Sequence, residues 1–119
     1  MRTYYAELTR AAQTGRTARL RTLVHRNCPC FGAVESIQDV ANKGFSTPNA
    51  TWTLESLRVR ELAAGQAFVE VRYRVNAHDL IGPDGERADS FPEKRRHLEV
   101  SLARSDSRWV VTNLFDLES

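Results

Sequence analysis

Val69-Glu70-Val71-Arg72-Tyr73-Arg74-Val75 decides the fold: apolar and charged residues alternate strictly, the period of a strand with one face buried and one in water. The same period returns at Leu98, Val100 and Leu102, set between His97, Glu99 and Ser101. Residues 51–62 alternate too, but Trp52 and Leu54 share one parity while Leu57 and Val59 share the other, which predicts a bulge near Glu55-Ser56. Residues 109–115 are apolar on both parities, the pattern of a strand covered on both faces. Ala63-Ala64-Gly65 and Arg104–Arg108 read as turns between these strands.

Upstream the period changes to that of helices. Thr3 is placed to cap a helix whose stripe is Tyr4 or Tyr5, Leu8, Ala11 and Ala12, ending at Gly15. Thr17 is placed to cap a second, with Leu20, Leu23 and Val24 inward and Asn27 near its end. A third opens at Cys28-Pro29, carries Ala33, Val34, Ile37, Val40 and Ala41, and stops at Gly44. The segment 76–94 contains Gly82-Pro83-Asp84-Gly85, a turn signal, and reads as the tip of a projecting hairpin or as a binding loop. Helices followed by an antiparallel meander imply an α+β fold, with three N-terminal helices on a curved, mostly antiparallel four-stranded sheet.

The 119 residues suit a single domain, 1–119, able to bury a core of its own. Composition (41% hydrophobic, 27% charged) excludes a disordered, collagenous or disulfide-dense chain. All of the 17 basic residues except Lys43 and Lys94 are arginines, and Arg10, Arg16, Arg19, Arg21 and Arg26 form a basic run. With a net charge of only +2 and no accompanying motif, that run reads as solvated helix surface rather than a nucleic-acid site.

Element order and local wording resemble the nuclear transport factor 2-like superfamily, the cystatin-like cone that also houses SnoaL-like cyclases and ketosteroid isomerases. Tyr4-Tyr5-Ala6-Glu7-Leu8 with Ala12-Gln13-Thr14-Gly15 resembles its opening helix. Leu98–Arg104, then Arg108-Trp109-Val110-Val111 and Leu114, resembles its closing hairpin, with Ser107 where Gly is usual. Within the superfamily, Cys28-Pro29-Cys30 is most similar to an uncharacterised family of actinobacterial lipoproteins, and next to accessory proteins of mycobacterial cell-entry (Mce) systems. The first resemblance implies a domain excised from a longer precursor. It would face outward from the cell membrane, held there only by an N-terminal lipid anchor.

Cys28 and Cys30 admit three readings: a local disulfide in an oxidising compartment, reduced buried thiols, or redox or metal chemistry with His25. No fourth metal ligand is evident, and neither a metal nor a cofactor is expected. A cone pocket between sheet and helices would take its polar groups from the inward parities, so Tyr5, Tyr73, Trp52 and Asn113 are the ligand-binding candidates. No catalytic residue is assigned: Asp39 points off its helix stripe and His97 lies opposite Leu98, Val100 and Leu102. The expected role is therefore non-catalytic binding of a small apolar ligand or an envelope protein. The alternative is a small cofactor-independent isomerase, cyclase or hydrolase using Asp39 or His97. A homodimer through an outward sheet face of Phe68, Val110, Thr112 and Leu114 is compatible with either.

Overall fold

A computed structural model describes residues 1–105 and 108–117. Helices α1 (Arg2–Thr14), α2 (Ala18–Arg21) and α3 (Phe31–Asn42) precede strands β1 (Trp52–Ala63), β2 (Gln66–Val75), β3 (His78–Ile81), β4 (Arg87–Phe91), β5 (Lys94–Ser105) and β6 (Arg108–Asp116). The long strands form an antiparallel sheet in the order β1-β2-β5-β6, and β3 pairs with β4 in a separate hairpin. That hairpin is the 76–94 arm, turned at Gly82–Gly85. The expected turn at Asp106-Ser107 lies outside the described residues. Among the described residues, no helix is long and apolar enough to cross a membrane.

The core lies where alternation places it. Val69 and Val71 of β2 stand beside Val100 and Leu98 of β5 in the ladder, all four buried on the inner face under Tyr5, Leu8, Leu20 and Val34. Each such side chain contributes roughly 1.5–3 kcal/mol by leaving water. The bulge forecast near Glu55 is present: Leu54 pairs with Tyr73 and Ser56 with Arg72, leaving Glu55 extra. A second irregularity leaves Arg60 extra between Val59 and Glu61. Gly15 and Gly44 end α1 and α3 with φ of 76° and 82°, values that favour a residue without Cβ.

Several expectations are corrected. Thr3 is not the cap of α1: the helix already includes Arg2, and the Tyr5 N–H donates to the Met1 carbonyl at 3.1 Å. Helix α2 stops at Arg21 instead of running to Asn27, because β6 claims the backbone that follows. The His25 N–H donates to the Val111 carbonyl and the Val111 N–H to the Leu23 carbonyl, both at 2.8 Å. Helix α3 begins at Phe31, after a turn over Cys28-Pro29-Cys30, and Ala33 faces solvent. Strand β6 is covered on one face only: Val111 is buried, whereas Phe115, opposite Glu99 on the outer face, is exposed.

The β5–β6 register slips between Ser101 and Leu102, which skips Thr112. Val111 and Leu114 consequently both face inward, opposite Leu102 and Val100, and Leu114 packs on the core. Leu114 therefore leaves the outward set expected with Phe68, Val110 and Thr112. Asn113, opposite Ser101, takes the outer face and not the cone interior.

Candidate functional site: a groove between helices α1 and α3

A groove of about 350 Å³ opens between the end of α1, the apolar side of α3, and the chain leading into β1. Ile37, Val40 and Ala41 form one wall, Phe45 and Trp52 another, and His78 of β3 stands at its margin. Of the α3 stripe only Val34 is completely buried: Val40 and Ala41 line the groove, and Ile37 lines it while also packing on the core.

Side-chain hydrogen bonds to backbone hold the walls. The Thr47 hydroxyl donates to the Ala12 carbonyl at 2.8 Å, and Gln13 Nε2 donates to the Ala50 carbonyl at 2.8 Å. Thr9 clamps the start of β1: its hydroxyl accepts from the Trp52 N–H at 2.8 Å and donates to the Trp52 carbonyl at 3.4 Å. Asn76 accepts from the Thr51 N–H at 2.7 Å and donates to the Asn49 carbonyl at 2.8 Å. The arm is tied in by paired backbone bonds between Ser46 and Ile81, of 2.9 and 2.8 Å.

His78 is held in one orientation. Its Nδ1 lies 2.8 Å from the Asn76 carbonyl, which can only accept, so Nδ1 carries the proton. The ring also packs against Phe91, with centroids 5.2 Å apart. With Nδ1 carrying the proton, Nε2 of the uncharged ring is a hydrogen-bond acceptor, and it has no partner among the described residues. No aspartate or glutamate lines the groove with it.

The residues singled out from sequence do not form one site. Trp52 lines the groove. Tyr5 and Tyr73 pack ring to ring at 4.9 Å inside the cone and line none of the groove, and Tyr4 meets Tyr5 edge-on at 5.0 Å. Burial pushes the Tyr4 and Tyr5 phenols well above their ordinary range and raises that of Tyr73, so they are neutral filling. The Tyr5 hydroxyl has no hydrogen-bond partner among the described residues. Asn113 lies across the sheet, on the outer face.

Cys28 and Cys30 are joined as a disulfide with their Cα atoms 5.1 Å apart, and both are buried in the core cluster. His25 is exposed, its Nδ1 accepting from the Asn27 N–H at 3.1 Å. Among the described residues, no three His, Cys, Asp or Glu side chains are grouped to hold a metal ion. Asp39 is exposed and pairs with Lys43 at 3.0 Å. His97 is on the outer face, where its Nε2–H donates to Glu70 at 2.5 Å. That bond, then the Arg58 guanidinium, hold the Glu70 carboxyl below its ordinary range against some desolvation.

Sequence reasoning missed His78, Asn76 and Phe45. The available signals were Asn76 and His78 directly after a clean strand, and a lone aromatic between Gly44 and the breaker cluster at 46–49.

No family model and no curated protein sequence matches the chain. Solved structures do. The intermembrane space region of the chloroplast protein ARC6 superposes with a TM-score of 0.71 at 17% identity, covering 99% of this chain and 91% of that one. An uncharacterised protein with a cystatin-like fold from Caulobacter vibrioides gives 0.60 at 13% identity, over 98% and 87%. A type 2 hexachlorocyclohexane dehydrochlorinase, LinA, gives 0.64 at 13% identity, over 95% and 78%. At these identities the likeness concerns the fold, and the chain has the cystatin-like, nuclear transport factor 2-like α+β cone.

Proposed function

We propose that the chain is a non-catalytic binding domain whose groove takes a small apolar molecule carrying one hydroxyl. The observation behind this reading is the lining itself. Ile37, Val40, Ala41, Phe45 and Trp52 supply apolar surface, and His78 supplies one oriented ring, with no carboxylate in the groove lining. An apolar body gains by leaving water, and the hydroxyl hydrogen to Nε2 fixes its direction. An apolar side chain of an envelope protein would use the same surface. The buried Cys28–Cys30 bridge supports an oxidising, extracytoplasmic location. The lipid anchor belongs to the same proposal, and the name of the ARC6 region, which places that domain in an intermembrane space, agrees with such a location.

The test uses 1-decanol with Trp109→Phe protein, so that Trp52 alone reports. Titration should shift Trp52 emission to the blue, Ile37→Asp should abolish the shift, and His78→Phe should weaken binding about tenfold through the lost acceptor. No shift in the parent protein up to the solubility limit of decanol would overturn the reading. Alkylation of protein recovered from its native host tests the location: two free thiols would count against it.

A second reading rests on His78 alone, a group able to move a proton, and on the dehydrochlorinase named among the structural neighbours. It would replace the first if the bound molecule were converted by the wild-type protein and left intact by His78→Gln.

A further inference from the structure

The two edges of the main sheet are finished differently. At β6, the Leu23–His25 backbone bonds to Val111 and covers the edge. At β1, Thr9 takes both backbone groups of Trp52, but among the described residues no hydrogen bond meets the outer edge from Ser56 to Ala63. Along that segment Leu57, Val59 and Leu62 stand opposite Val71, Val69 and Ala67, hence on the inner face, yet they are 41%, 57% and 68% exposed. None of the three belongs to the core cluster or to the side chains packed against it. Unpaired backbone beside an apolar row is a template for another strand.

We propose that this segment pairs antiparallel with the same segment of a second copy, about a two-fold axis passing between Val59 and Arg60. The choice of occupant comes from self-complementarity. Opposed residues in an antiparallel pair must share a face, and in this pairing they lie an odd number of positions apart. A regular strand cannot satisfy both conditions. Here the extra residue Arg60 turns Arg58 and Glu61 to the same outer face and Leu57 and Leu62 to the same inner face. Arg58 then meets Glu61 of the second copy, and Leu57 meets Leu62, each contact occurring twice.

Other alignments fail on the same residues. Centring on Val59 sets inward Leu57 against outward Glu61. Centring on Arg58 sets that arginine against itself and Glu55 against Glu61. Arg58 also reaches Glu70 within its own chain, at 3.5 Å, so its head group is already held on the outer face. The result is one continuous eight-stranded sheet, independent of what the groove binds.

Light scattering across a concentration series reads the equilibrium. The wild-type chain should dimerise reversibly. Arg58→Glu and Glu61→Arg, each placing two like-charged pairs in the seam, should each weaken dimerisation about tenfold or more, with thermal unfolding of the monomer followed as a check on folding. An equimolar mixture of the two variants should recover dimer at wild-type affinity, because each copy then supplies what the other lacks. The double variant R58E/E61R should recover it as well. A wild-type chain that stays monomeric to millimolar concentration would overturn the proposal. So would a dimer that both single variants leave intact, or single variants whose mixture regains nothing.

Discussion

The two faces of the main sheet are built from alternate residues of the same strands and obey different physics. On the inner face, Val71, Leu98, Val100 and Val111 are buried. On the outer face, the neighbouring positions carry charges that interlock: Glu55 lies between Arg74 and Arg95, Arg74 also reaches Glu93, and Glu70 lies between Arg58 and His97. The inner contacts are non-directional and withdrawn from solvent, whereas the outer ion pairs work against water and salt. Fold stability should therefore be concentrated on one side of a layer a single strand thick. The other side should be tolerant of change and sensitive to pH.

Replacing Leu98 by Ala gives the largest expected effect, a loss of about 2–5 kcal/mol in urea unfolding, because the cavity would open at the centre of the inner face. A loss comparable to that of an outer-face truncation such as Arg95→Ala would break the contrast. Tyr5→Phe runs the other way. It removes a buried hydroxyl that has no partner among the described residues and keeps the ring against Tyr73, so stability should hold or rise by about 1 kcal/mol. A clear loss would mean that the hydroxyl is satisfied by solvent.

Glu70→Gln gives the smallest effect and a pH signature. Because the His97 hydrogen bond and Arg58 lower the carboxyl's titration in the fold, the unfolded chain binds more protons around the ordinary carboxylate range. The stabilisation is complete above that range and is lost as pH falls through the lowered folded value. The thermal midpoints of wild type and variant should differ slightly at neutral pH and converge in acid. A gap that widened in acid would reverse the assignment.

Much of the inner face was legible because alternation is local. Val69 to Val75 and Leu98 to Leu102 announce their parity without help from the rest of the chain, and Gly15 and Gly44 announce their helix ends. What stayed hidden depends on distant partners. Val24 fits a helical stripe, and only β6 shows that its backbone belongs to a sheet edge. Asn113 changes face because Thr112 is skipped in the β5–β6 ladder, and residues that are all apolar or small give no sign of such a slip. The groove is hidden for a third reason. Ile37 and Val40 look like core in sequence, and they remain half-open because α1 and α3 approach at their ends rather than along their lengths.

That approach is made at Gly15. A Cβ built there would lie 2.9 Å from the Ala41 Cβ, closer than two carbon atoms can stand, so the smallest residue works as a shim between the helices. Any side chain at this position, itself part of the groove lining, would act as a wedge, prising α3 from α1 and changing the calibre of the groove. The width of the opening, and with it the girth of what can enter, is gauged by a lining residue that brings no side chain of its own.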